Sequence, residues 1–195
     1  MDKTIDSSKL KQALLLLNEQ LVITNAPQTE IVVCGGSALI ATGLVPRTTR
    51  DVDIVALMNK RTLVDPEPLP DHLLKAAENV GKILSLPEDW LNNGPASQFR
   101  MGLPPGFQER LTTVIIGTKL TVHYIGRLDQ IFFKTYASAD RAGYHVADLK
   151  ALNPTTEELV AAAKWCLAQD ASDAFRTILK DMFSQLGWRD VSDRI

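Results

Sequence analysis

Hydrophobic positions recur with two different periods in the first sixty residues. Residues 7–25 ("SSKLKQALLLLNEQLVITN") have apolar side chains at helical spacing and predict an amphipathic helix. Residues 30–36 ("EIVVCGG") and 51–58 ("DVDIVALM") are short apolar runs rich in β-branched residues, which predict strands. Residues 37–43 ("SALIATG") lie between them and predict a short helix that begins at Ser37.

The rest of the chain adds helices and a hairpin. Residues 71–84 have helical periodicity, and residues 87–93 ("PEDWLNN") predict a short helix. Residues 110–117 and 119–126 predict the two strands of a hairpin. From residue 128 onward every apolar pattern has the helical period.

This order of elements predicts an α/β (α+β) fold, in which a small mixed sheet has flanking helices and a C-terminal helical subdomain follows. We expect residues 1–126 to form the core with its N-terminal helix. Residues 127–195 are expected to form the helical subdomain, packed on that core. The chain lacks the alternating βαβ units that a doubly wound sheet requires.

Composition excludes several classes of protein. The chain carries 21 basic and 23 acidic residues, for a net charge of -2, so it has no electrostatic footprint for non-specific nucleic-acid binding. Two cysteines make neither a disulfide framework nor a zinc set. The N-terminus has no signal-peptide pattern, and no apolar run approaches the ~18–20 residues of a membrane span. We therefore expect a cytoplasmic protein that has no membrane partner.

Asp51 and Asp53 are spaced for metal binding. Side chains two apart on a strand share a face, and two adjacent carboxylates repel unless a cation lies between them. Hard oxygen ligands suit Mg²⁺ or Mn²⁺, and Mg²⁺ completes its shell with waters and substrate phosphates. We predict that Asp51 and Asp53 are the catalytic metal ligands. An ordinary strand after a tight turn is the alternative, because Asp65 and Glu67 have the same spacing in a proline-rich loop where nothing suggests function.

Gly35, Gly36 and Ser37 supply the features of a phosphate site. Glycines let the backbone approach a ligand closely, and a strand-to-helix turn presents free N–H groups to an anion. Ser37 adds a hydroxyl. The spacing of other phosphate and metal motifs is not met: there is no Gly-x-Gly-x-x-Gly, no Gly-Lys-Ser/Thr and no EF-hand loop.

The combination of Gly-Gly-Ser, a short helix and "RTTRDVDI" resembles the nucleotidyltransferase superfamily, which has the polymerase-β-like fold. The form GG-x-A-L…G…R-x-T-x-D-h-D is further similar to a small bacterial, uncharacterised branch related to the nucleotidyltransferase toxins of type IV toxin–antitoxin systems. The segments "DWLNN" and "FFKTYASADRAGYHVADLKALNPTTEEL" are similar to recurrent segments of that branch. The matching positions of the motif are Gly35, Gly36, Ala38, Leu39, Gly43, Arg47, Thr49, Asp51 and Asp53.

The resemblance implies roles for further residues. Arg47 would bind phosphate, or would pair with the two aspartates in the metal-free protein. Lys134 matches a lysine that recurs on the helix following the sheet in the toxin-like relatives, so it would either reach the phosphates or be solvated. Enzymes of the superfamily generally need a third carboxylate on a later strand, and residues 119–126 contain none. His123 is the nearest substitute, as a neutral ligand or a base, unless it is a histidine hydrogen-bonded at the sheet edge.

The resemblance implies a Mg-dependent nucleotidyltransferase that moves a nucleoside monophosphate from an NTP to a hydroxyl acceptor, either protein or RNA. The alternative is a catalytically degenerate relative that acts as a nucleotide-binding or toxin–antitoxin-like regulatory module, with an antitoxin-like partner. The missing third carboxylate separates the two hypotheses.

Overall fold

The structure is a computed structural model that describes residues 4–141 and 143–195. The chain divides into two compact units, Met1–Ile125 and Gly126–Ile195.

The first unit contains a mixed sheet, as the sequence predicts. Its helices are α1 (Ser7–Ile23), α2 (Gly35–Ala41), α3 (Asp71–Leu84) and α4 (Ala96–Met101), with a single 3-10 turn at Gln108–Arg110. Its strands are β1 (Thr29–Cys34), β2 (Val52–Asn59), β3 (Thr62–Val64), β4 (Leu91–Asn92), β5 (Thr112–Ile115) and β6 (Leu120–Tyr124).

The sheet has the order β3-β2-β1-β6-β5, and β4 pairs with the first two residues of β2. β1 lies between β2, which runs antiparallel to it, and β6, which runs parallel. The strand that ends at the glycines and the strand that carries Asp53 are therefore direct neighbours. β5 and β6 form the predicted antiparallel hairpin.

One face of the sheet packs on a hydrophobic core. Ile31 and Val33 of β1 and Ile54 of β2 are buried there together with Leu17 of α1 and Leu73 of α3. Full burial of each such side chain stabilises the fold by roughly 1.5–3 kcal/mol. Because side chains alternate along a strand, the residues between these positions lie on the opposite face, which carries the polar groups described below.

The short helix α2 begins at Gly35, two residues earlier than predicted. Gly35 has a φ of 69°, which glycine adopts at no steric cost, so the chain passes directly from β1 into the helix.

The prediction of a helix over residues 87–93 is wrong. The backbone N–H of Val52 donates to the carbonyl of Trp90 at 2.5 Å, and the two residues of β4 pair in parallel with β2. Trp90 is fully buried, and its indole N–H donates to the carbonyl of Ala77 at 2.9 Å. Tertiary packing thus overrides the local preference of this segment.

The second unit is helical in the residues that the structure describes, as predicted. It consists of α5 (Arg127–Arg141), α6 (Tyr144–Ala151), α7 (Thr156–Gln169), α8 (Asp173–Gln185) and α9 (Arg189–Ser192). Trp165 of α7 packs against Phe132, Phe133 and Tyr136 of α5, with ring centroids 5.8 to 6.3 Å apart. Within residues 4–141 and 143–195, no helix has the length and hydrophobicity needed to cross a membrane.

Candidate active site

Asp53 lies directly against Gly35. A Cβ atom at Gly35 would come within 2.5 Å of Oδ2 of Asp53, and the φ of 69° at Gly35 also disfavours any other residue. The absence of a side chain at this position therefore leaves the space that the Asp53 carboxylate occupies. The carboxylate of Asp53 thus faces the glycine turn.

Gly36 is packed in the same way against the loop that precedes β2. A Cβ atom at Gly36 would lie 2.6 Å from Oγ1 of Thr49 and 3.5 Å from Cζ of Arg47. The guanidinium group of Arg47 is thus beside the glycine turn, and its Nε donates to the carbonyl of Thr48 at 3.0 Å. A positive charge therefore lies where phosphates are expected.

Thr49 fixes the orientation of Asp51. Its hydroxyl donates to Oδ1 of Asp51 at 3.0 Å, and the Thr49 residue is only 5% exposed. Its backbone is held by two hydrogen bonds to Ile5, of 2.7 and 2.9 Å. The sequence motif contains Thr49, but the spacing alone did not indicate that this residue positions a carboxylate.

Two strand neighbours flank Asp53. In the register of the sheet, Cys34 of β1 lies beside it on one side and Asn92 of β4 on the other. Asp51 and Asp53 are both half-buried, so solvent reaches them. The segment that carries Asn92 was predicted as a helix, and its pairing with β2 brings an amide side chain next to the carboxylate pair.

These residues match a known family. A family model described as "Nucleotidyltransferase of unknown function (DUF6036)" matches residues 8–153, which include the glycine turn and both aspartates. The chain belongs to this family. The comparison with curated proteins found no match, and neither did the comparison with solved structures.

In this member of the nucleotidyltransferase family, the hydroxyl of Ser37 forms a hydrogen bond inside the fold. The residue is fully buried, and its hydroxyl donates to the carbonyl of Cys34 at 3.3 Å. This hydrogen bond closes the turn between β1 and α2. Phosphate binding by Ser37 remains a prediction, and it would involve the backbone N–H of the residue.

His123 has both ring nitrogens engaged with neighbouring side chains. Its Nε2 lies 2.9 Å from Oε2 of Glu30, and its Nδ1 lies 2.8 Å from Oγ1 of Thr113. His123 pairs with Val32 in the parallel register, two residues before Cys34, which is the residue beside Asp53. The hydrogen-bonded histidine that the sequence left as an alternative to a metal ligand is thus the arrangement in the structure.

The residue of the nucleotidyltransferase sheet that lies in line with Asp53 is Ile125. The backbone N–H of Ile125 donates to the carbonyl of Val33 at 3.1 Å, which extends the β1–β6 register by one residue and sets Ile125 beside Cys34. Ile125 is fully buried and carries no ionisable group. The third carboxylate that the resemblance implies is therefore not at this position.

Lys134 belongs to the second unit. Its Nζ forms an ion pair of 2.8 Å with Oδ2 of Asp148, and both side chains are buried. The ammonium group also lies 5.7 Å from the centre of the Tyr144 ring. A contact between Lys134 and phosphates remains a prediction.

The donor set of the site fits Mg²⁺ or Mn²⁺. Asp51 and Asp53 supply hard carboxylate oxygens, whereas the amide oxygen of Asn92 accepts the backbone N–H of Gly94 at 2.8 Å. Among the residues that the structure describes, no group of three His, Cys, Asp or Glu side chains could hold a metal ion. Such a site depends on water and substrate oxygens, which is typical of Mg²⁺.

Proposed function

We propose that the chain is a Mg-dependent nucleotidyltransferase, which transfers a nucleoside monophosphate from an NTP to a hydroxyl group. The observation that carries this proposal is the packing of the Asp53 carboxylate against Gly35, with Asp51 on the same loop-strand junction, in a chain of the nucleotidyltransferase family.

The two carboxylates have separate environments in this proposal. Thr49 holds Oδ1 of Asp51 at 3.0 Å, so the other oxygen of Asp51 is oriented for a ligand. Gly35 leaves room for Asp53 in the turn. When bound by Asp51 and Asp53, Mg²⁺ or Mn²⁺ supplies positive charge that offsets the charge of the triphosphate.

The glycine turn and Arg47 bind the phosphates. The turn at Gly35 and Gly36 lies directly against Asp53 and Thr49, so phosphates held by a metal on Asp53 would lie beside the backbone N–H groups of this turn. The guanidinium of Arg47, next to Gly36, suits bidentate contact with phosphate oxygens.

The reaction is an in-line displacement. The oxygen of the acceptor hydroxyl attacks the α-phosphorus of the NTP and forms a new P–O ester bond. The bond between the α-phosphorus and the bridging oxygen of the β-phosphate breaks, and pyrophosphate leaves. The proton of the acceptor hydroxyl passes to a base.

The test is incubation of the protein with each NTP labelled at the α-phosphate, in Mg²⁺ or Mn²⁺, with a cell lysate as a source of acceptors. Labelled product that requires both the protein and the metal supports the proposal. Thermal unfolding with each NTP and metal, measured in parallel, reports binding without transfer. Absence of both binding and transfer for all NTPs would contradict it.

A second function is favoured by one observation: the position in line with Asp53 holds Ile125, and His123 is engaged by Glu30 and Thr113. A catalytically silent chain would bind the NTP as a regulatory or toxin–antitoxin-like module with an antitoxin-like partner. Binding without transfer, in the presence of such a partner, is the result expected for that function.

A further inference from the structure

Three polar side chains on neighbouring strands form a connected set on the sheet face that carries Asp53. Glu30 of β1 contacts Nε2 of His123 on β6 at 2.9 Å. Nδ1 of His123 contacts the hydroxyl of Thr113 on β5 at 2.8 Å. Thr113 and His123 are direct partners across the hairpin, so the backbone register holds the two side chains together.

The direction of the two hydrogen bonds follows from their chemistry. An ionised carboxylate only accepts hydrogen bonds, so Nε2 of His123 carries the proton and donates it to Glu30. In the neutral ring Nδ1 is then an acceptor, and the hydroxyl of Thr113 donates to it. A hydroxyl that donates to an imidazole oriented by a carboxylate is the arrangement of an activated nucleophile.

The residue that carries the hydroxyl is exposed, and the residue that would act as the base is buried. His123 is 7% exposed, whereas Thr113 lies on the exposed strand β5. β5 is at the edge of the sheet, and in the part of the chain that the structure describes no strand pairs with its outer side. A second molecule can therefore approach Thr113 from that side.

Thr113 is too far from Asp53 for transfer within one chain. The two residues lie on strands β5 and β2, which are separated by three strand spacings of about 4.8 Å each, or roughly 14 Å. An attacking oxygen has to lie about 3–3.5 Å from the phosphorus. The NTP would therefore have to be held by another copy of the chain.

We propose that Thr113 is an acceptor for nucleotidyl transfer from a second copy of this chain, with His123 as general base and Glu30 as the residue that orients it. This inference rests on the proposed function. Oγ1 of Thr113 attacks the α-phosphorus of the NTP held by the other copy, and pyrophosphate leaves. The hydroxyl proton moves to Nδ1 of His123 and then to water, and the product is a phosphodiester on Thr113.

The inference accounts for the absent third carboxylate. The position in line with Asp53 is Ile125, so the donor site offers no base there for the incoming hydroxyl. An acceptor that carries its own base does not need one from the donor site. A positioned base contributes about 10²–10⁴-fold to such a step.

The first experiment uses the wild-type protein, incubated with each NTP and Mn²⁺ or Mg²⁺ and digested for mass spectrometry. We expect the peptide that contains Thr113 to gain the mass of one nucleoside monophosphate, with the added group on Thr113. Thr113→Val should abolish the label and Thr113→Ser should keep it. Thr112→Val is the matched control, because Thr112 is the preceding residue of the same exposed strand and faces the other side of the sheet.

The base is tested with Glu30→Gln and His123→Gln, which preserve size. We expect labelling of Thr113 to fall by about 10²-fold or more in each variant while thermal stabilisation by NTP and metal stays at the wild-type value. Equal loss of labelling and of nucleotide binding would mean that the set only supports the fold, and would overturn the proposal.

Mixing two variants tests transfer between copies. Asp51→Asn/Asp53→Asn keeps the acceptor and lacks the donor site, whereas Thr113→Val keeps the donor site. Neither should be labelled alone, and the first should be labelled in the mixture. NTP and metal binding without label on Thr113 would overturn this inference and leave the proposed function standing. Absence of NTP binding would overturn both.

Discussion

The oxygens of Asp51 and Asp53 have distinct neighbours, and these neighbours come from different parts of the sequence. Oδ1 of Asp51 accepts the hydroxyl of Thr49, whereas Oδ2 of Asp53 fills the space left by Gly35. A carboxylate held on one oxygen loses less conformational entropy when the other oxygen binds a ligand. The two carboxylates thus have fixed orientations in the protein alone.

We predict that Asp51→Asn/Asp53→Asn abolishes stabilisation of the protein by NTP with Mg²⁺ or Mn²⁺. A ligand that binds only the folded state raises its stability, and amides hold the metal far less well than carboxylates. Thermal unfolding with and without ligand measures the effect. Asp65→Asn/Glu67→Gln is the control, because these two acids have the same spacing and pair with Arg100 instead. A full shift in the first double variant would mean that the nucleotide binds elsewhere.

Gly35→Ala should destabilise the protein more than Gly43→Ala. Both glycines have positive φ, of 69° and 68°, so alanine costs about 1–2 kcal/mol in backbone strain at each. Only at Gly35 does the new Cβ also meet Asp53 at 2.5 Å, whereas nothing lies within 4 Å of a Cβ at Gly43. Chemical denaturation compares the two, and equal losses of free energy of unfolding would contradict the tight packing of Asp53.

At the scale of residues, the sequence predicts which residues form the candidate site. It predicts less well which contacts orient their side chains. Local spacing is sufficient to place Asp51, Asp53 and the glycines, because they are joined by one short helix and one loop. Glu30 and Thr113 were missed, since their contacts with His123 depend on the parallel pairing of β1 and β6 and on the hairpin register. A hairpin centred on Thr118, between the predicted strands at residues 110–117 and 119–126, would have paired Thr113 with His123.

At the scale of elements, the pairing of β1 with β6 decides which residue at the end of β6 lies closest to Asp53. The parallel register sets His123 beside Val32 and Ile125 beside Cys34. Side chains two residues apart on a strand are separated by roughly 6.6 Å along it. His123 is therefore one such step away from the line through Cys34 and Asp53.

We predict that Ile125→Asp increases nucleotidyl transfer per folded molecule, by up to about 10²-fold, to acceptor hydroxyls that have no base of their own, because it sets a carboxylate in line with Asp53. The variant should be less stable, since Ile125 is fully buried and a buried carboxylate is costly without a partner. Initial rates of label incorporation, corrected for the folded fraction, measure the effect.

Thr121→Asp is the control for this prediction. Thr121 lies on the same face of β6 and pairs with Glu30, four residues away from Ile125. An acid there is too distant from Asp53 to act on the donor site, so transfer should not rise above the wild-type rate. An increase in Thr121→Asp without one in Ile125→Asp would show that the β6 register does not govern the site.

The segment from residue 87 to residue 93 shows why element types could not all be predicted. Its sequence fits a capped helical turn, but the burial of Trp90 against Gly81 and its bond to Ala77 draw the backbone onto β2. This pairing with β2 depends on contacts with residues that are distant in sequence. The strands and helices with long periodic patterns were predicted correctly because their own local sequence determines their type.

At the scale of the whole molecule, the family match ends at residue 153, so α7, α8 and α9 lie beyond it. A capping box still begins α7: Thr155 accepts from the N–H of Glu158, and Glu158 accepts from the N–H of Thr155. The guanidinium of Arg127 donates to both carboxylate oxygens of Glu158, at 2.6 and 3.1 Å. One carboxylate thus joins the start of α5 to the start of α7.

This carboxylate predicts a pH dependence of stability. Hydrogen bonding from Arg127 is the largest of the effects that lower the pKa of Glu158 from its ordinary value of 4.5, and burial opposes it. A lowered pKa in the folded state means that the stabilisation is present above pH 4.5 and is lost as the pH falls through the folded value. Thermal unfolding between pH 3 and 7, a range of about four units around this pKa, measures the loss.

Glu158→Gln should remove part of that pH dependence. It should also lower the free energy of unfolding by about 1–2 kcal/mol at neutral pH, because the cap and a charged hydrogen bond are both weakened. Glu157→Gln is the adjacent control. Glu157 pairs with Arg194 and is exposed, so its replacement should change stability little. A larger loss for Glu157→Gln would contradict the assignment.

The backbone bridge between Ile5 and Thr49 has a practical consequence for anyone who expresses a fragment of this chain. The family match begins at residue 8, so a fragment trimmed to that boundary would lack Ile5 and both of its hydrogen bonds to Thr49. It could keep every residue of the motif and still present Asp51 in the wrong orientation. An inactive trimmed fragment would then reflect a missing N-terminal anchor, and an affinity tag is better attached at the other end.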